Sequence, residues 1–162
     1  PLNLYSASKN AFLEILKFYQ NRYNKINFFN LYIADTFGEN DQRRKIINVI
    51  KNNNIKRKSV NIVSKNLSLN LLNVKDVIRA IIIPIFKNTK SGDYNVINNK
   101  NFIMSKLISH LKKDRDFKSK IIWENKKIVN DKILKLPKLP NWEPKHSNLE
   151  NLKNFILRKR TF

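Results

Sequence analysis

The sequence has no cysteine, two glycines, and only 12 acidic residues against 33 Lys and Arg in 162 residues. Without cysteine there are no disulfides and no thiolate metal sites, which fits a cytoplasmic protein. Glycine is confined to Gly38 and Gly92, against an ordinary share of about 7%. A glycine-rich phosphate loop is therefore excluded from these residues. The longest apolar stretch, Val77 to Phe86, is broken by Arg79 and Pro84. It falls well short of the roughly 18 apolar residues a membrane-spanning helix needs. No basic region followed by an apolar core opens the chain, so no signal peptide is expected. His110 and His146 lie far apart with no metal-ligand spacing, and no Ser-His-Asp or nucleophile-elbow pattern occurs.

The shortage of acids leaves a formal net charge of +21. A nucleic-acid footprint would gather this charge on one face and interleave it with aromatics. Here the basic runs are short: Arg43-Arg44-Lys45, Lys56-Arg57-Lys58 and Arg158-Lys159-Arg160. Asn, Lys and Ile, all encodable by A/T-only codons, are abundant together. The charge reads as compositional drift, and nucleic acid is not the expected partner. Such a charge still attracts anionic ligands such as phosphate esters.

Tyr5 and Lys9 stand four residues apart, one turn of a helix and on one face. An ammonium near a phenol favours the phenolate and lowers a tyrosine pKa from about 10. Such a tyrosine can protonate a carbonyl or deprotonate an alcohol while a hydride moves elsewhere. With 5 tyrosines in a lysine-rich chain, this spacing alone arises readily by chance. The surrounding sequence must carry the rest.

Hydrophobic spacing predicts a helix over 4–23 capped by Asn3, then a strand over Ile26–Ile33. Residues 34–41 read as a loop leaving the carboxyl end of that strand, where ligands bind in open α/β sheets. A helix over 42–53 follows, with Asp41 as its natural cap. Short strands are expected at Val60–Val63 and over Leu67–Val74. A helix over 75–87 carries Pro84, which would kink or end it. Gly92-Asp93 reads as a turn, Tyr94–Ile97 as a strand, 103–113 as an amphipathic helix and 121–123 as a strand. Residues 124–146, with three prolines, read as irregular. A last helix starts at Ser147 in capping-box spacing with Glu150. The order of elements is that of the second half of an α/β enzyme.

Five segments then resemble one family in order. Tyr5-Ser6-Ala7-Ser8-Lys9 with Ala11-Phe12 is similar to the catalytic helix of extended short-chain dehydrogenases/reductases, the NAD-dependent epimerase/dehydratase group acting on nucleotide sugars. Asn30 to Gly38 resembles that family's strand and loop ending in Asn-x-Tyr-Gly-Pro. Leu71-Leu72-Asn73-Val74-Lys75-Asp76-Val77 with Arg79-Ala80 resembles its Phe-Val-x-Val-x-Asp-Val-x-x-Ala segment. Gly92-Asp93-Tyr94-Asn95-Val96 resembles its Gly-x-x-Tyr-Asn-Val strand. Leu139 to Leu152, with Asn141-Trp142-Glu143-Pro144, resembles its closing signature. Asp35-Thr36-Phe37-Gly38 and its flanks are most like the branch making CDP- or dTDP-linked deoxysugars, such as abequose- or paratose-type synthases.

The resemblance implies a Rossmann-type α/β fold of which residues 1–63 form the later part, with the catalytic helix. Residues 64–162 would be the substrate-binding region, interleaved with Rossmann elements. It implies an acid/base role for Tyr5 at the sugar C4 oxygen. Lys9 would hold the nicotinamide ribose and lower the Tyr5 pKa. Ala34 and Asp35 would flank the nicotinamide of NAD or NADP. Asp35, Thr36 and Arg44 would meet the nucleotide-sugar substrate, and the full-length enzyme would form a homodimer. Trp142 is expected as core or a loop anchor.

The departures are specific. The family's phosphate loop and the Ser/Thr of its triad precede the catalytic tyrosine, and neither is expected in this chain, which opens at Pro1. Glu39 replaces the usual Pro. Leu69 stands where many epimerases carry a substrate-binding Arg, which argues against a plain galactose-type epimerase. Asn73 and Lys75 replace the usual aromatic and acidic residues, and Asn151 replaces the closing glycine. A basic nucleic-acid-binding module and a nonfunctional remnant of a truncated gene stand as the alternatives.

Overall fold

The structure is a computed structural model that describes residues 3–23, 25–128 and 133–158. Helix α1 (Leu4–Arg22) begins where expected. The Asn3 side chain accepts from the Ser6 N–H at 2.9 Å, and the Ser6 hydroxyl accepts from the Asn3 N–H at 3.2 Å. This reciprocal cap satisfies two amides that a helix start leaves unpaired.

Strand β1 (Phe29–Ile33) starts later than predicted, because the Ile26 N–H donates to the Tyr23 carbonyl in a turn. A further strand, β2 (Asp35–Phe37), lies where a loop was expected. The chain steps over at Ala34 and pairs with a different partner, burying Phe37.

Helix α2 (Ile46–Ile55) starts after Lys45, not at Gln42, and its cap has no side-chain bond. Asp41 does not cap it, because its carboxylate takes the Arg43 N–H at 3.1 Å and both Nε and Nη2 at 2.7 Å. Strand β3 (Val60–Ile62) follows. The single strand predicted over 67–74 is two, β4 (Ser68–Leu69) and β5 (Leu71–Asn73), broken at Asn70.

Helix α3 (Val74–Phe86) is capped by the Asn73 side chain, which accepts from the Lys75 N–H at 2.9 Å. Pro84 is accommodated inside its last turn and does not end it. Gly92 and Asp93 are not a turn. They are the first residues of β6 (Gly92–Val96), and the Gly92 N–H donates to the Phe28 carbonyl at 3.0 Å. Strand β7 (Phe102–Ile103), helix α4 (Met104–Leu111) and strand β8 (Ile121–Trp123) come next.

Helix α5 (Leu149–Leu157) is capped by Asn148, which accepts from the Asn151 N–H at 2.8 Å. Ser147, the predicted cap, donates instead to Asp76 at 2.6 Å and accepts from the Asn73 N–H at 2.8 Å.

Three pairs are parallel, β1 with β6, β2 with β5 and β3 with β8, while β4 and β7 are antiparallel. Parallel ladders of this kind belong to α/β folds with helices on their faces. Side chains alternate across β5, and Leu71 and Leu72 enter different cores. The larger core packs Phe37, Ile50, Ile62 and Leu71 against α4 and α5 through Leu107, Leu111, Leu152 and Ile156. The smaller one gathers Leu72, Ala80, Tyr94, Val96, Leu139 and Trp142.

The irregular segment before α5 pairs with β6 at a single parallel bridge, Lys138 with Asn95, and is held otherwise by side chains. Asn95, buried, donates its side-chain amide to the Leu134 carbonyl at 2.6 Å and the Leu136 carbonyl at 3.2 Å. Further on, fully buried Asp76 accepts from the Lys145 N–H at 2.9 Å, the His146 N–H at 2.8 Å and the Ser147 hydroxyl. Arg79 ion-pairs with the same carboxylate at 3.2 Å. The buried Trp142 indole donates to the Asp76 carbonyl at 2.9 Å, so it anchors a loop, as the sequence suggested. A carboxylate carrying this many donors is compensated for its burial.

Candidate active site

One face of α1 and the carboxyl end of β1 border a cleft of about 810 Å³. From α1 come Tyr5, Lys9, Leu13 and Leu16, all on the turn-by-turn face that the four-residue spacing dictates. From β1 and the step that follows it come Tyr32, Ile33, Ala34 and Asp35. Asn70, Asn95 and Asn101 supply a polar wall, with Ile133 and Leu134 beside it. The helix cap at Asn3 fixes where the first turn of α1 begins, and so fixes the direction in which Tyr5 and Lys9 project.

Within the pair, the Lys9 ammonium lies 5.7 Å from the centroid of the Tyr5 ring. That is inside the range of cation–π attraction. Tyr5 is 71% exposed and lines the cleft. Ala34 donates its N–H to the Val96 carbonyl at 3.0 Å, which pins the chain where β1 gives way to β2. Asp35 is ion-paired with Lys45. That partner was not legible in the sequence, because Lys45 becomes the cap residue of α2 only through the later helix start.

Thr36 and Arg44 do not line the cleft. The Thr36 hydroxyl accepts from Arg43 Nη2 at 2.9 Å. Arg44 is exposed and has no hydrogen-bond or ion-pair partner among the described residues. Of the two neighbouring arginines it is Arg43 that is tied down, bridging Thr36 and Asp41. The Arg43 guanidinium holds the Asp41 carboxyl well below the ordinary carboxylate range. Asn70, Asn95 and Asn101 line the cleft although the sequence does not mark them as site residues. Asn95 sits inside the Gly-x-x-Tyr-Asn-Val segment, which was the available signal for it.

Neither glycine forms a phosphate cradle. A Cβ at Gly38 would meet Val74 Cγ1 at 2.6 Å, so this glycine makes room for the start of α3. Gly92 packs beside the Tyr94 ring. Among the described residues no cluster of His, Asp or Glu could hold a metal ion, and no helix is long and apolar enough to cross a membrane.

The sequence matches the NAD dependent epimerase/dehydratase family over residues 1–98. No curated protein matches it. Among solved structures, the fold is similar to UDP-N-acetylglucosamine 4-epimerase from Bacillus cereus, with a TM-score of 0.75 and 16% identity. That alignment covers 99% of this chain and 57% of the other. UDP-glucose 4-epimerase from Thermotoga maritima aligns with a TM-score of 0.72 and 16% identity, over 98% of this chain and 53% of that one. The dTDP-glucose 4,6-dehydratase of Bacillus anthracis, in complex with NAD, aligns with a TM-score of 0.69 and 18% identity, over 96% and 51%. The chain thus spans about half the length of the solved structures it matches. Sequence match and parallel α/β architecture agree, and the chain belongs to the NAD-dependent epimerase/dehydratase family.

Proposed function

We propose that this chain is the acid/base and substrate-binding part of an NAD(P)-dependent nucleotide-sugar epimerase, dehydratase or 4-ketoreductase. The observation that carries the reading is the meeting of Tyr5, Lys9, Ala34 and Asp35 around one cleft. Tyr5 exchanges a proton with the sugar C4 oxygen. Lys9 holds the cofactor ribose and keeps positive charge beside the phenol. On the substrate side Asp35 lines the cleft and is ion-paired with Lys45, while Thr36 and Arg44 lie beyond its wall and would meet parts of the substrate that extend past it. Residues 1–63 act as the later part of the Rossmann-like domain and 64–162 as the substrate-binding region. The finer placement is with the CDP- or dTDP-deoxysugar synthases of the abequose or paratose type, and it rests on Asp35-Thr36-Phe37-Gly38 and the flanking sequence.

NAD or NADP supplies the hydride acceptor and donor when bound. The residues here suit its nicotinamide end, where Lys9 offers an ammonium to ribose hydroxyls. The phosphate cradle must come from other residues, since both glycines are engaged in packing. The experiment is turnover of 4-keto and 4-hydroxy nucleotide sugars by a protein joining this chain to a glycine-rich nucleotide-binding half of the family. Replacing Tyr5→Phe should lower kcat about 10²–10⁴-fold, the usual worth of a positioned acid/base. Unchanged turnover in that variant would remove Tyr5 from the chemistry.

A further inference from the structure

The asparagines on the cleft wall are oriented by a chain of hydrogen bonds whose direction is fixed at one end. The Asn98 backbone N–H can only donate, and it does so to the Asn70 side-chain oxygen at 2.7 Å. That settles which end of the Asn70 amide is which. Its nitrogen must face the other way, and there it donates to the Asn98 carbonyl at 3.0 Å and to the Asn101 side-chain oxygen at 2.7 Å. With its oxygen used by Asn70, Asn101 is left with its NH₂ group, which has no partner among the described residues. Asn70 and Asn101 both line the cleft that holds Tyr5 and Lys9. A backbone amide thus decides, through two side chains, which end of the Asn101 amide is held by the wall and leaves its NH₂ group as the unpartnered donor of a cleft-lining residue.

We propose that Asn101 donates to an acceptor oxygen of the ligand, phosphoryl or carbonyl, and that Asn70 is the positioning residue that sets its polarity. The proposal rests on the nucleotide-sugar reading of the cleft. A free NH₂ group needs an acceptor, which both hydroxyl and phosphoryl oxygens supply, and it is met best by an oxygen that has no proton of its own to place. Phosphoryl oxygens add negative charge, which strengthens each such bond. Asn70 adds specificity at a distance, because an acceptor at both ends of position 70 would turn Asn101 over and present its oxygen instead.

The test is titration of the ¹⁵N-labelled chain with UDP-glucose, and with methyl α-D-glucopyranoside as a hydroxyl-only probe. The Asn101 side-chain NH₂ signals should move with UDP-glucose and not with the glucoside. Asn101→Asp keeps an acceptor for the Asn70 amide and replaces the donor by a carboxylate oxygen, so UDP-glucose affinity should fall about tenfold or more. Asn70→Asp keeps the bond from the Asn98 N–H and should also lower the affinity. It should move the Asn101 NH₂ signals before any ligand is added, which a merely structural role would not do. Asn101 is exposed, so the Asn101→Asp result stands even where Asn70→Asp disturbs folding. If UDP-glucose shifts Tyr5 and Lys9 while the Asn101 signals and the Asn101→Asp affinity stay unchanged, the assignment is overturned and the nucleotide-sugar reading survives. Equal response to the glucoside overturns the donor selectivity. Absence of binding of UDP-, dTDP- and CDP-glucose at millimolar concentration to the chain joined to a nucleotide-binding half of the family overturns both.

Discussion

The α5 end of the molecule and the α1 end treat their apolar side chains in opposite ways. Around α5, Leu152 and Ile156 are fully buried, and Lys51 of α2 lies 3.7 Å from the Phe155 ring centroid as a lid over the contact. Along α1 no residue is buried, and Leu4, Phe12, Ile15, Phe18 and Tyr19 are all exposed. Ile78, Ile81, Ile82, Ile85 and Phe86 of α3 are exposed as well. The first region is closed by its own sequence. The second, which carries the Tyr5/Lys9 pair, displays a contiguous helix stripe of the kind that is normally covered. Residues for chemistry thus ride on the helix least supported by its own chain.

Four changes sharpen that contrast, from the largest effect to the smallest. Asp76→Ala removes the carboxylate that ties α3 to residues 145–147 and leaves several donors unpaired. Unfolding by denaturant should show a loss of about 3–5 kcal/mol. Leu152→Ala opens a cavity in the larger core and should cost about 2–5 kcal/mol in the same measurement. Asp41→Asn removes the partner of Arg43, an exposed guanidinium, and should cost below about 1 kcal/mol near neutral pH. Because the native Asp41 pKa is depressed, that stabilisation is complete above the unfolded value of about 3.9 and is lost as pH falls through the native one. The melting temperatures of wild type and Asp41→Asn should therefore converge as the pH is lowered below about 4. Phe18→Ser, on the open stripe of α1, should change the stability of the isolated chain by less than about 0.5 kcal/mol. A Phe18→Ser cost comparable to that of Leu152→Ala would erase the contrast between the two ends.

Much of this was legible in the sequence, and the failures share a cause. Helix α1 was read to within a residue, because Asn3 and the apolar spacing are local signals. The Tyr5/Lys9 pairing followed from helical geometry alone. Asp41 and Ser147 were misread as caps, although each has the residue type that caps prefer. Arg43 and Asp76 offered them stronger partners, and Asp76 lies far from Ser147 in sequence. The strand at Asp35–Phe37 was hidden because its pairing partner, Leu71–Asn73, is likewise not local in sequence. Lys45 beside Asp35 and the Asn70–Asn101 contact depend on tertiary placement in the same way. Local chemistry sets helices and their faces, while non-local hydrogen bonds decide which polar side chains remain free for a ligand.

The central claim is that the helix bearing the acid/base pair is secured only when its apolar stripe is covered. Native-state hydrogen exchange, residue by residue, tests it most directly, since local opening energies run from about zero up to that of global unfolding. In the 162-residue chain, α1 amides should exchange with low opening energies while those of α4 and α5 approach the global value. Joined to a nucleotide-binding half of the family, α1 should rise to the level of α5. Equal protection of α1 and α5 in the chain alone would contradict the account.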